Sequence, residues 1–151
     1  MMEEPAKGAF YIDGSLRDIY IFGTDEQDWQ KFLTFLCTSS YPLEFIIAGE
    51  QQPIPDRIED VFSLVHSQGG VLYIDEEHLA LHCYFSTSEE IELDLDPRNM
   101  HTEQQISRLL DFMHKIGRLL NKTVVLTPEN ASWVALFRFD PRTGEEEWRS
   151  Q

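Results

Sequence analysis

The sequence predicts one α+β domain over residues 1–151, a mainly antiparallel sheet with helices packed on one face, and three observations lead there. Residues 69–97 alternate apolar and polar side chains through LALHCYF and IELDLD, the period of half-buried strands. Residues 29–36 and 106–120 instead repeat apolar side chains at helical spacing, each behind a capping signal. Read in order, the chain runs ββαβ, then α, then βββαβ and a terminal hairpin, which mixes strands and helices throughout. A chain of 151 residues with 42% hydrophobic content can close its core without disulfide or metal staples.

The elements follow from local chemistry. Ala9 to Asp13 and Leu16 to Phe22 read as two strands joined at Gly14-Ser15, since glycine accepts the positive φ of a tight hairpin. Thr24 opens a helix with Gln27 as its capping-box partner, and Trp29, Phe32, Leu33 and Leu36 form its stripe until Ser39, Ser40 and Pro42 end it. Leu43 to Ala48 is a short buried strand, and Gly49 to Pro55, with two prolines, reads as loop. A second helix starts at Asp56 or Glu59, buries Ile58, Val61, Phe62 and Val65, and stops at Gly69-Gly70. Three antiparallel strands fill residues 69–97. Thr102 and Gln105 then cap the longest helix, whose stripe is Ile106, Leu109, Leu110, Met113, Ile116 and Leu120. Thr123 to Leu126 is a β-branched strand ended by Pro128, and residues 134–139 and 145–149 flank the turn Asp140-Pro141-Arg142-Thr143-Gly144. Residues 8–49 and 70–130 can be laid side by side as ββαβ half-repeats, Tyr11-Ile12-Asp13 over Tyr73-Ile74-Asp75, although caps and stripes disagree by one residue.

Charge narrows the function. A formal charge of −15, from 27 acidic and 12 basic residues, repels phosphate backbones and anionic membranes, so neither nucleic acid nor membrane is an expected partner. The opening MMEEPAKGAF has no basic or apolar leader pattern and no apolar run could cross a bilayer, which points to the cytoplasm. Cys37 and Cys83 lie on expected apolar faces with no metal spacing, and read as reduced core thiols.

Candidate chemistry gathers between positions 73 and 96. Alternation hides Leu79, Leu81, Cys83, Phe85, Ile91, Leu93 and Leu95 and places His78, His82, Tyr84, Glu92, Asp94 and Asp96 on the opposite face. Tyr73 joins them there, and Asp75 opens the charged hairpin tip that runs to His78. His78 and His82 stand about 13 Å apart along a strand, too far to share one ion. Glu92, Asp94 and Asp96 recur at about 7 Å, close enough to resist full ionisation together, and His82 across from one of them would make an acid/base pair. From Ile58 to Pro97 there are ten acidic residues and no Lys or Arg. Aromatic anchors inside such a segregated acidic surface have the make-up of an interface for a basic protein.

No catalytic signature competes. G-x-S-x-G, H-E-x-x-H, a P-loop and G-x-G-x-x-G are all missing from the sequence, and His66, His101 and His114 have no evident partners. Arg17 and Asp18 are expected to pair across the first hairpin, and Trp133 and Trp148 to cover the last one. The expectation is a protein-binding module that uses Tyr73, Asp75, His78, His82, Tyr84, Glu92, Asp94 and Asp96, with no cofactor. The alternative is a metal-assisted hydrolase built on His82, Glu92, Asp94 and Asp96. Edge pairing through residues 43–48 or the last hairpin would give a homodimer. The ending FDPRTGEEEW and the acidic make-up resemble small bacterial proteins, some of them toxin antidotes; this implies an immunity-type or regulatory role and rests on no diagnostic motif.

Overall fold

The computed structural model describes residues 4–76 and 79–149. Its elements in chain order are α1 (Glu4–Ala9), β1 (Arg17–Phe22), α2 (Glu26–Thr38), β2 (Leu43–Ile47), β3 (Glu50–Gln52), α3 (Ile58–Gln68), β4 (Gly70–Glu76), β5 (Leu79–Tyr84) and β6 (Glu90–Leu95). A 3-10 turn (Pro97–Asn99), α4 (Glu103–Leu120), β7 (Val124–Pro128), β8 (Phe137–Asp140) and β9 (Glu145–Trp148) complete it. One sheet holds nine strands in the order β3-β2-β4-β5-β6-β1-β7-β8-β9, every neighbouring pair antiparallel. The fold is therefore α+β, as the alternation predicts.

Antiparallel neighbours coexist with helical crossovers because each long helix joins strands that run the same way without touching: β1 to β2, β3 to β4 and β6 to β7. All helices lie on one face. Trp29 of α2 packs on Phe62 and Phe85, Phe112 of α4 on Phe32 and Tyr41, and His114 of α4 on Phe139 of β8. α4 approaches so closely that a Cβ on Gly117 would stand 3.1 Å from both Phe139 and Val124, which is why a glycine interrupts its apolar stripe. Against these helices the sheet turns Ile19, Ile21, Leu72, Ile74, Leu81, Cys83, Leu93, Leu126 and Phe137, all fully buried. Among the described residues, no helix lies on the opposite face.

Several local expectations are corrected. Residues 9–13 are not a strand: Ala6, Ala9 and Phe10 are buried at helical spacing from α1, and Pro5 is tolerated in its first turn. Gly14-Ser15 consequently makes no hairpin, and Asp13 Oδ1 instead accepts from the Ser15 amide and hydroxyl. The 8–49 half thus lacks the first strand that the ββαβ comparison asks of it. In α2 the cap is Asp25 with Asp28, not Thr24 with Gln27. Thr24 is occupied elsewhere, its hydroxyl donating to Ser88 O at 2.7 Å. With Asp25 as cap, the stripes of α2 and α4 fall into the same phase, Trp29 and Ile106 each lying four residues past a cap. Residues 50–52 form β3, since Ala48 and Gly49 both take positive φ and close a two-residue hairpin. That places β2 inside the sheet, so residues 43–48 offer no edge; β3 and β9 are the outer strands. Leu110 is half-buried, Cys37 is exposed, and Trp133 is 82% exposed and covers nothing, whereas Trp148 packs on Phe10 and Phe137 as a cover should.

Candidate binding face

Strand register builds the site. On the helix-free face, Thr127 of β7, Asp18 of β1, Asp94 of β6, His82 of β5, Tyr73 of β4 and Glu44 of β2 stand opposite one another in succession, a single row across six strands. A second row sets Val125 beside Tyr20, Tyr20 beside Glu92 and Glu92 beside Tyr84. Phe22 faces Glu90 one step further on. Directly opposed side chains on one face are near enough to interact, so each row is a chain of contacts.

Its centre is ionic. The Nδ1–H of His82 donates to Asp94 Oδ1 at 2.8 Å, and this bond to the carboxylate raises the imidazole above its ordinary range against the opposing effect of burial. Tyr73 packs edge-on against the His82 ring, with centroids 5.0 Å apart. Asp18 is only 6% exposed and Asp94 8%. The Asn130 amide donates to Asp18 Oδ2 at a long 3.4 Å, too weak to offset burial; with Glu92, Asp94 and Glu129 adding like charge, the Asp18 carboxyl is pushed up to about 6. Tyr20 donates its hydroxyl to Glu92 Oε1 at 3.1 Å and stacks on Phe22 at 5.0 Å, while Phe22 stays 46% exposed. Burial, followed by Glu92 and Glu89, raises Glu90. The Tyr84 phenol is pushed up to about 12 by burial and then by Asp94.

Of the residues expected from sequence, Tyr73, His82, Tyr84, Glu92 and Asp94 come together on this face. Asp75 lies exposed on the same strand as Tyr73 and, with Glu44 and His82, borders a shallow depression of about 160 Å³. His78 lies outside the described residues. Asp96 departs from expectation: Arg98, the first cation past the basic-free span, donates to it from both its backbone and its guanidinium, and its carboxyl is lowered rather than held from ionising. Arg17 and Asp18 do not pair, because successive strand residues point to opposite faces. Arg17 is buried on the helix side, where it donates to the carbonyls of Ala9, Tyr11 and Leu16. Asp18 and Tyr20 are the site members missed by sequence reasoning. The alternation Asp18, Tyr20, Phe22 sets them on one face, but only the pairing of β1 with β6, some seventy residues away in sequence, brings them to Glu92 and Asp94.

The arrangement limits its own chemistry. No family model, no curated protein and no solved structure matches this chain. What it does has therefore to be read from the face itself. Among the described residues no group of three His, Cys, Asp or Glu could hold a metal ion, so the hydrolase alternative lacks an assembled ligand set. The His82–Asp94 pair has the form of a base and its orienting acid, yet among the described residues the His82 ring hydrogen-bonds to no serine or cysteine. Cys83 is sealed in the core and Cys37 is held above the usual thiol range by burial and Asp56, neither being the depressed thiol of a nucleophile. His66 and His114 do have partners, donating to Phe85 O and Glu146 Oε2 at 2.7 Å each. No helix among the described residues is long and apolar enough to cross a membrane.

Proposed function

We propose that this chain is a protein-binding module that receives a basic protein partner on the helix-free face of its sheet, in the cytoplasm and without a cofactor. An immunity-type protein neutralising a basic toxin is one form of this reading, and a regulatory subunit is another. The observation that carries it is the charge environment of the face. The groups acting on Asp18 are Glu92, Asp94 and Glu129, and those acting on Glu90 are Glu92 and Glu89. Carboxylates gathered on adjacent strands repel one another and weaken the fold, a cost that a cationic partner relieves on binding. Phe22, Tyr73 and Tyr84 supply apolar and aromatic contact area among those charges, as anchors do in interfaces.

The test is a titration of the 15N-labelled chain with an arginine- and lysine-rich peptide, read amide by amide. Shifts should concentrate on β1, β5 and β6, and the double variant Glu90→Gln/Glu92→Gln should weaken binding about tenfold. The equal charge change Glu26→Gln/Asp60→Asn, on exposed positions of α2 and α3 on the helix side, serves as control and should leave affinity nearly unchanged. Shifts centred on α2 and α4, or equal losses in both double variants, would refute the reading.

A further inference from the structure

We propose that Asp18, Asp94 and His82 form a single proton-binding unit which sets the charge of the helix-free face, so that mild acidification releases a basic partner. The inference deepens the reading of this face as a binding surface. Its basis is register: the three residues stand directly opposite one another on β1, β6 and β5, with Asp94 in the middle. Asp94 cannot satisfy both neighbours in the same way. Toward His82 it accepts a hydrogen bond at 2.8 Å, which strengthens when the imidazole carries a proton. Toward Asp18 it presents like charge to a carboxyl that is 6% exposed and has one long backbone donor. A proton on Asp18 removes a like charge facing Asp94, and a proton on His82 strengthens its bond to Asp94, so the protonations of Asp18 and His82 are coupled through the residue between them.

The groups that face the row come from every flanking strand. On β1 the next residue of that face is Tyr20, bonded to Glu92 of β6. On β5 it is Tyr84, held un-ionised to about 12, and on β4 it is Tyr73, edge-on to the imidazole, followed by Asp75. From the β7–β8 connection Glu129 acts on Asp18 and also accepts from the Leu16 amide at 2.8 Å. Asp75 and Asp96 act on His82, and Arg98, the nearest cation at that end, is committed to Asp96. Glu44 stands opposite Tyr73 at the end of the row. The charged groups beside the row are therefore acids, with His82 its basic member and Arg138 of β8, opposite Val125, a cation of the same face beyond β7. Between pH 8 and pH 5.5 the Asp18 carboxyl, pushed up to about 6, passes from mostly ionised to mostly protonated, and the raised His82 imidazole gains protons over the same descent, so the row becomes less negative on a surface that selects cations.

Nuclear magnetic resonance of the intact chain tests this without any partner, by following the side-chain carboxyl carbons of Asp18 and Asp94 and the His82 ring between pH 8 and 4.5. The Asp18 midpoint should lie near 6, raised by its burial, the His82 midpoint above its ordinary 6.5, and the Asp94 carbon should respond at both. An Asp18 midpoint near 4, or an Asp94 carbon silent at both, would overturn the proposal. Binding of the basic peptide is then compared at the two pH values. It should weaken about fivefold at pH 5.5, and Asp18→Asn/His82→Gln should remove the difference. Equal affinity at both pH values in the wild type would overturn the release step. Coupled titration in a chain that binds no peptide at pH 8 would instead refute the binding reading and leave the proton site standing.

Discussion

The buried guanidinium of Arg17 fixes the entry of the chain into its sheet. It is 4% exposed, and its Nε and Nη2 donate to Ala9 O at 2.6 Å and Tyr11 O at 2.7 Å, while Nη1 reaches Ser15 Oγ and Leu16 O. A loop that would otherwise leave those carbonyls without donors is thereby tied to β1, and α1 is held over the core. Replacing Arg17 with methionine keeps most of the volume but removes every donor. The expected loss is about 3 kcal/mol in urea unfolding, with proteolytic cleavage appearing within residues 10–16. Asp96 gives a contrasting residue. Its carboxylate already caps the 3-10 turn and holds Arg98, so Asp96→Asn should change peptide binding far less than Glu92→Gln does, although both remove one charge from the same strand region. Equal effects in a titration would show that net charge alone, rather than placement on the face, governs attraction.

At the scale of elements, what was legible in the sequence was whatever local spacing decides. The Thr102 cap of α4 and the alternation of β5 and β6 needed only neighbours within one turn or one strand and came out as read, as did the α4 stripe except that Leu110 is half-buried and Phe112 is buried in addition. The failures lie where two local rules compete. Thr24 and Asp25 are both good caps, and the choice fell to Asp25 because Thr24 was required by the β6 approach at Ser88 and Glu89. Asp25→Ala should therefore cost about 1 kcal/mol as a lost cap. Residues 9–13 read as a strand yet carry the last residue of α1 and the loop after it, since Ala6, Ala9 and Phe10 have core to cover. Ala48 at φ 52 hid the β2–β3 hairpin, because alanine is an uncommon first residue for such a turn. Gly70 is legible only in space. A Cβ there would stand 2.4 Å from Ile47 Cδ1 and 2.7 Å from the Ile46 carbonyl oxygen, so β4 can lie beside β2 only without a side chain. Gly70→Ala should destabilise by about 1–3 kcal/mol, measured by chemical unfolding, with the shift confined to the β2–β4 end of the sheet.

For the whole molecule, the rows across the open face were illegible in advance because they depend on which strands pair, and β1 enters the sheet between β6 and β7 rather than beside β2. That topology has a consequence for stability against pH. Asp18, raised from 3.8 to about 6 by burial and then by its acidic neighbours, binds its proton more tightly folded than unfolded, and His82 and Glu90 are displaced in the same direction. Each contributes stability that is full below its unfolded value and lost as pH rises through its folded one. Asp13, Asp96 and Asp140 run oppositely, lowered first by hydrogen bonds from Ser15, Arg98 and Arg142, so their contribution is lost only as pH falls below about 3.8. The two groups leave stability greatest near pH 4, with a decline from there toward pH 8 as Asp18 and Glu90 and then His82 lose their protons. Relief of the −15 net charge on acidification acts in the same sense, so the wild-type curve alone does not isolate the row. Asp18→Asn does. At pH 8 it removes a buried carboxylate and should stabilise the fold by about 1–2 kcal/mol after allowance for solvent screening, whereas at about pH 2.8, a unit below the unfolded value of 3.8, where Asp18 is largely protonated in both states, it should change little. A variant that shifts the unfolding midpoint equally at both pH values would mean that Asp18 acts through shape, and that its place opposite Asp94 carries no charge coupling.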